Sequence, residues 1–429
     1  MKREKNMMEK ETNTLYQMKL GDLWRYIKTQ NTLFWLVNLY LFFEYVRPQT
    51  LYKSLDILPY AQIIILIALF LLITQGGFGR VKNPLNKLIV LYFIVILASS
   101  FFALSPSISY SKLSEFISWM IIYFLIVNVI NTENRFFIFI LAFMLYSFKM
   151  SQFSFRNWLS SGFSFINIGS GGGPGWFHNS GEFGIQMVIF LAVSTCFFWS
   201  LKEHWPLWKK ALLFFFPLTA LTGTISSSSR GAVLGAAGVI LFWVLKSRYK
   251  LKAFILAAII GIAIYAIIPP EQMARFDAMG EDDTSTSRIT YWKRGIELIE
   301  QYPVLGVGHE NWIFAQERVF GIENSEVSHN IFIQCAVDLG YTGFSVFLLL
   351  IFFTFYNNYK VRKIILQAPQ DNKFLFFMSH GLDGALIGYM ISGFFVTVLY
   401  YPYFWINLAM TVSLSEAAQR WADNIRVPA

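Results

Sequence analysis

At 429 residues the chain is long enough for two or three soluble domains, but 55% of it is apolar and only 14% is charged, with Phe alone contributing 44 residues. Soluble domains carry about 25% charged residues, so this composition cannot coat a soluble surface of that size. The formal net charge of +9 sits in short Lys/Arg segments between apolar runs, which marks membrane topology and excludes a nucleic-acid binder.

Residues 1–30 form a polar N-terminal segment without the apolar core of a signal peptide, and 14–30 has the pattern of an amphipathic helix on a membrane surface. A membrane crossing needs about 20 apolar residues. Candidate spans follow at 31–46, 60–75, 86–104, 114–130, 135–149, 181–200, 207–223, 230–246, 252–269, 331–356, 375–398 and 400–418. The run 135–149 is short and is also readable as re-entrant. The last two, joined around Tyr401–Pro402, are also readable as one broken helix.

The basic segments fall between alternate spans. Arg80, Lys82 and Lys87 share a side with Lys202, Lys209 and Lys210, with Lys246, Arg248, Lys250 and Lys252, and with Lys360, Arg362, Lys363 and Lys373. About twelve spans place all of these, and both termini, in the cytoplasm. The expected fold is therefore all-α and polytopic. A cytoplasmic segment, 1–30, precedes transmembrane helices within 31–269. A large outer loop at 270–330 precedes further helices within 331–418 and a cytoplasmic tail at 419–429.

Two outer loops are long, near 150–180 and 270–330, and long loops in compact proteins commonly carry function. The second contains SRITYWKRGIELIEQ (287–301), whose Ile289, Trp292, Ile296 and Ile299 have helical spacing, ended by Pro303. Neither a P-loop nor a dinucleotide fingerprint occurs, which argues against nucleotide-driven chemistry. Cys196 and Cys335 lie in apolar stretches and suggest neither a disulfide frame nor a zinc site. Asp282–Asp283 has the oxygen chemistry of a cation site but reads first as a solvated acidic loop, so no metal or other cofactor is expected.

Of the five histidines, His178, His309 and His329 fall in the outer loops. Arg230 begins an apolar helix at the outer surface, as a snorkelling arginine or an anion clamp. Arg288 begins the loop helix after Ser285–Thr286–Ser287. Free N–H groups at a helix start favour phosphate, and guanidinium adds a bidentate fork.

Several motifs together resemble the bacterial O-antigen ligase and O-antigen polymerase family. They are Ser229–Arg230–Gly231–Ala232; Arg288-Ile-Thr-Tyr-Trp292; Pro303-Val-Leu-Gly306-Val-Gly308-His309; and Ser328–His329–Asn330 continuing through Asp338-Leu-Gly340 and Gly343. Glu44-Tyr-Val-Arg47-Pro48 is similar to members found with exopolysaccharide systems. The resemblance implies a glycosyltransferase-C-like fold in the bacterial inner membrane. It implies metal-independent transfer of a glycan from undecaprenyl diphosphate, at the periplasmic face, to another lipid-linked glycan or to a lipid A-core acceptor. It implies His329 as general base and Arg230 and Arg288 as the diphosphate ligands. Arg47, His178, Asn179, Trp292, His309 and Asn330 stand as further substrate-binding candidates. The competing expectation is a polysaccharide or lipid transporter.

Overall fold

In a computed structural model of the chain the described residues are 11–163, 169–172, 177, 179–267, 270, 283–323 and 325–426. They form helices α1 Leu20–Lys28, α2 Thr32–Tyr45, α3 Tyr60–Thr74, α4 Pro84–Phe101, α5 Pro106–Val129, α6 Glu133–Ser160, α7 Ser180–Leu201, α8 Leu207–Ser226, α9 Arg230–Lys246, α10 Lys250–Ile267, α11 Asp283–Gln301, α12 Trp312–Phe320, α13 Ile331–Leu366, α14 Lys373–Gly393 and α15 Pro402–Arg426. Each expected span falls on a helix. Among the described residues seven stretches, including α4 to α7, α13 and α14, are long and apolar enough to cross a membrane. The seventh runs from Lys53 through α3 to Thr74.

α7 is the core of the bundle, 83% buried over its most apolar stretch, whereas the stretch ending in α3 is 22% buried and turns its apolar surface outward. Between helices in lipid, close packing of small residues replaces the hydrophobic effect. A side chain at Gly235 of α9 would collide with Ser392 of α14, and one at Gly184 of α7 with Ala232 of α9.

α6 differs most from expectation. It is one continuous helix of 28 residues, which rules out a short re-entrant segment, and it carries Arg156 within its last turns. The polar run that resembled a loop is an interhelical seam: Ser151 Oγ meets Thr219 Oγ1 at 2.8 Å, and Ser154 Oγ meets Ser226 Oγ at 2.5 Å. The last two spans are separate helices rather than one broken one, joined by residues 394–401. α12 was not expected at all.

The break lies instead in α13, at Gly340 (φ 63°, ψ −171°). The segment 303–308 fills it. Tyr341 N–H donates to the Pro303 carbonyl at 2.7 Å, Val307 N–H to Val337 O at 2.8 Å, and Gly308 N–H to Asp338 O at 3.1 Å. Backbone freed by a helix break at membrane depth must find such partners. Gly340 is required twice, by its positive φ and because a Cβ would strike the Val304 carbonyl. Gly340→Ala should therefore lower the thermal unfolding midpoint in detergent by several degrees, given a cost of about 1–3 kcal/mol. Gly261→Ala, where nothing lies within 4 Å of the added methyl, should leave it within about a degree.

Candidate functional site

The starts of α7, α9 and α13 gather at one end of the bundle around residues 394–401. At Gly231, beside Arg230, an added Cβ would meet Phe395 Cβ at 2.9 Å. At Gly181 it would meet Asn179 Oδ1 at 3.1 Å, Val396 Cγ2 at 3.4 Å and Ser229 Oγ at 3.7 Å. Phe332 packs on Phe394 with ring centroids 4.7 Å apart.

Ser229 caps α9, its Oγ accepting from Ala232 N–H at 3.3 Å, so Arg230 projects from the first helical position. Arg288 and Trp292 lie one turn apart on α11. The Trp292 indole N–H donates to the Ser328 carbonyl at 3.0 Å, which lays α11 along the segment leading into His329.

His329 is held at φ 50°, left-handed for a non-glycine residue. Its N–H donates to Thr397 Oγ1 at 2.9 Å, and its ring Nε2 lies 3.4 Å from Glu326 Oε2. Burial first, and then the charge of Arg288, push the imidazole below its ordinary pKa, while hydrogen bonding and charge from Glu326 oppose the shift. The charge of Arg288 thus acts on the His329 ring.

Asn330 is the N-cap of α13, its Oδ1 accepting from Phe332 N–H at 2.9 Å and Ile333 N–H at 3.2 Å. Asn179 caps α7 in the same way, accepting from Glu182 N–H at 3.0 Å and donating to the Glu182 carboxylate at 2.9 Å. Arg47 is left-handed at φ 47° and lies 3.7 Å from Glu44 of α2. His178 lies outside the described residues, as does Asp282. Among the described residues no group of three or more His, Cys, Asp or Glu is arranged to hold a metal.

His309 is buried beneath the site, its ring edge-on to Tyr400 at 4.4 Å, and burial lowers its pKa to about 4. Its carbonyl accepts from Ser109 Oγ at 2.7 Å and from Asn311 Nδ2 at 3.0 Å. Burial raises the neighbouring Glu310 to about 7, with Glu115 adding to the rise and Lys112 opposing it. Sequence reasoning missed Glu326, Thr397 and Tyr400. Only the aromatic cluster Tyr400–Tyr401–Pro402–Tyr403 hinted that this connection is more than a turn.

A protein of this kind, all-helical with membrane-length apolar helices and an Arg/His cluster at one end, is an integral membrane protein. Residues 212–348 match the model of a family described as O-antigen ligase, and this segment contains Arg230, Arg288 and His329. The O-antigen ligase and polymerase resemblance drawn from the short motifs is thereby shown over that segment. No curated protein matches the chain.

The balance at His329 has a measurable consequence. Glu326 favours the protonated ring, so Glu326→Gln should lower the His329 pKa and leave the ring neutral to more acidic pH. Histidine-labelled NMR titration of the two proteins checks this. An upward shift would reverse the assigned role of Glu326.

Proposed function

We propose that the protein is a membrane glycosyltransferase. It moves a glycan from undecaprenyl diphosphate to a hydroxyl acceptor at the outer face of the bacterial cytoplasmic membrane, as an O-antigen or exopolysaccharide polymerase or an O-antigen ligase. The observation that carries this reading is the docking of the helix that bears Arg288, through Trp292, onto Ser328 next to His329 inside the O-antigen ligase-like segment. The start of α9, with Arg230, leans on the same 394–401 connection.

The chemistry follows from these groups. The bond from the anomeric carbon to the diphosphate oxygen breaks as a bond to the acceptor oxygen forms from the opposite side, inverting the centre. The leaving diphosphate gains negative charge, which guanidinium forks at Arg230 and Arg288 stabilise. The acceptor hydroxyl loses its proton to His329. In the neutral tautomer whose Nε2–H donates to the Glu326 carboxylate, the lone pair lies on Nδ1, and Nδ1 is then the base. No step draws on a metal. Of the acceptors, a second lipid-linked glycan is favoured by the Arg47–Pro48 motif.

A second reading, passage of a lipid-linked glycan across the membrane, draws on the broken α13 beside the buried Asp338. Against it, the backbone groups at that break are already bonded to 303–308. A pathway needs such groups open to its cargo.

The deciding experiment is glycan transfer in proteoliposomes supplied only with lipid-linked oligosaccharide, alongside donor binding on the same preparations. His329→Ala should cut transfer by about 10²–10⁴-fold while donor still binds. Arg230→Lys and Arg288→Lys should weaken donor binding, because an ammonium lacks the planar fork. Chain growth without another acceptor identifies a polymerase. Near-normal transfer by His329→Ala, or loss of donor binding in that variant, removes His329 as the base.

Orientation is checked separately with an impermeant thiol reagent on spheroplasts. Cysteine placed at Glu323 should react from outside and cysteine at Lys250 should not. The native Cys196 and Cys335 are buried and leave a low background. The reverse pattern would turn the site to the cytoplasm and end the proposal.

A further inference from the structure

We infer that Thr397, on the connection between α14 and α15, is the positioning residue for His329. This inference rests on the reading of His329 as the base.

A left-handed conformation is unfavourable for a non-glycine residue and persists only where the surroundings impose it. Around His329, on one side, Trp292 and the Ser328 hydroxyl hold the backbone: indole N–H to Ser328 O at 3.0 Å, and Ser328 Oγ to Asn330 O at 3.2 Å. On the other side Asn330 is fixed as the α13 cap. The N–H of His329 itself is taken by Thr397 Oγ1 at 2.9 Å.

Thr397 is a firm support. The next residues, Val398 and Leu399, are fully buried. The Val398 carbonyl accepts from the Tyr389 hydroxyl of α14 at 3.1 Å. The same connection touches Gly231 through Phe395, the Asn179–Ser229 corner through Val396, His309 through Tyr400, and the Glu182 carboxylate through the Tyr401 hydroxyl at 3.0 Å. One short segment therefore sets His329 in register with the start of α9 that bears Arg230. Thr397 is its contact to the base. It lies beyond the segment matched by the family model, 212–348.

The test compares Thr397→Val, which keeps the shape and removes the acceptor oxygen, with Thr397→Ser, which keeps the oxygen. Thr397→Ala serves as a second acceptor-free variant should valine impair folding. Thr397→Val should lower kcat roughly 10- to 100-fold with the donor KM unchanged, the scale of loss for a reacting group displaced by about an ångström. Thr397→Ser should stay within about threefold of the parent.

In a His329→Gly background, where glycine adopts the left-handed conformation freely and no base remains, Thr397→Val should cause no further loss. Residues acting through one another are not additive. A full additional loss there, or equal loss in serine and valine variants, would make Thr397 merely structural. Parent-like kcat in both valine and alanine variants would overturn the inference outright.

A readout independent of transfer separates this inference from the proposed function. Carbethoxylation of His329 by diethyl pyrocarbonate, followed by peptide mass spectrometry, should change in rate for Thr397→Val and not for Thr397→Ser. If the parent protein transfers no glycan but this pattern holds, the functional reading falls and the Thr397 contact stands. If transfer is normal and the rates are alike in all variants, the contact falls alone.

Discussion

The backbone exchange across the break in α13 is the constraint on which the site depends. In an apolar surround a helix cannot give up its own hydrogen bonds without substitutes. Here the substitutes come from 303–308, and the exchange works in both directions: Val337 and Asp338 carbonyls accept from Val307 and Gly308, while Tyr341 donates back to Pro303. Breaking either partner strands the other. The segment that ends in His309 is thereby welded to the helix that begins just after His329. The turn after α4 adds to the weld, with Leu104 N–H donating to Val307 O at 2.9 Å and Ser105 N–H to Asn311 Oδ1 at 2.9 Å.

That rigidity decides the electrostatics. His309 is sealed under Tyr400 and its pKa falls to about 4, so it stays neutral throughout the physiological range. His329 is only partly covered and keeps a carboxylate neighbour, Glu326, so its pKa is lowered less by its surroundings. Imidazoles of identical intrinsic chemistry are thus given different roles by burial and partners. One is a ring packed against Tyr400 and the other a partly covered ring beside a carboxylate. Glu310, raised by burial to about 7, is only partly ionised near neutrality.

The fold was legible where the physics is local. Apolar runs of membrane length announced the helices, and the spacing of Ile289, Trp292, Ile296 and Ile299 announced α11 before Pro303. It was illegible where polar residues serve another helix instead of water. Ser151 and Ser154 made the last turns of α6 resemble a loop, yet both are buried against a neighbouring helix. Gly340 stood in the motif Asp338-Leu-Gly340 but did not announce a helix break, because what fills the break is the distant segment 303–308. The Arg230, Arg288 and His329 set stood out through motif order. Asn179 and Asn330 did not declare from sequence that their side chains are engaged as helix caps.

Thr397 shows why the remainder of the site could not be read locally. The hydrogen bond it makes to His329 joins residues 68 positions apart, and the contact between Ser105 and Asn311 joins residues 206 apart. Neither Thr397 nor Ser105 carries a residue type that signals chemistry. Their importance lies in where the bundle brings them. A motif supplies the reacting groups, but a general base works only when its lone pair is held within a fraction of an ångström of the proton it takes. For His329 in the proposed role, the contact that supplies it comes from Thr397 on the connection between the last two helices, outside the 212–348 segment. Grafting 212–348 into another bundle would carry Arg230, Arg288 and His329 without the parts that hold them in register.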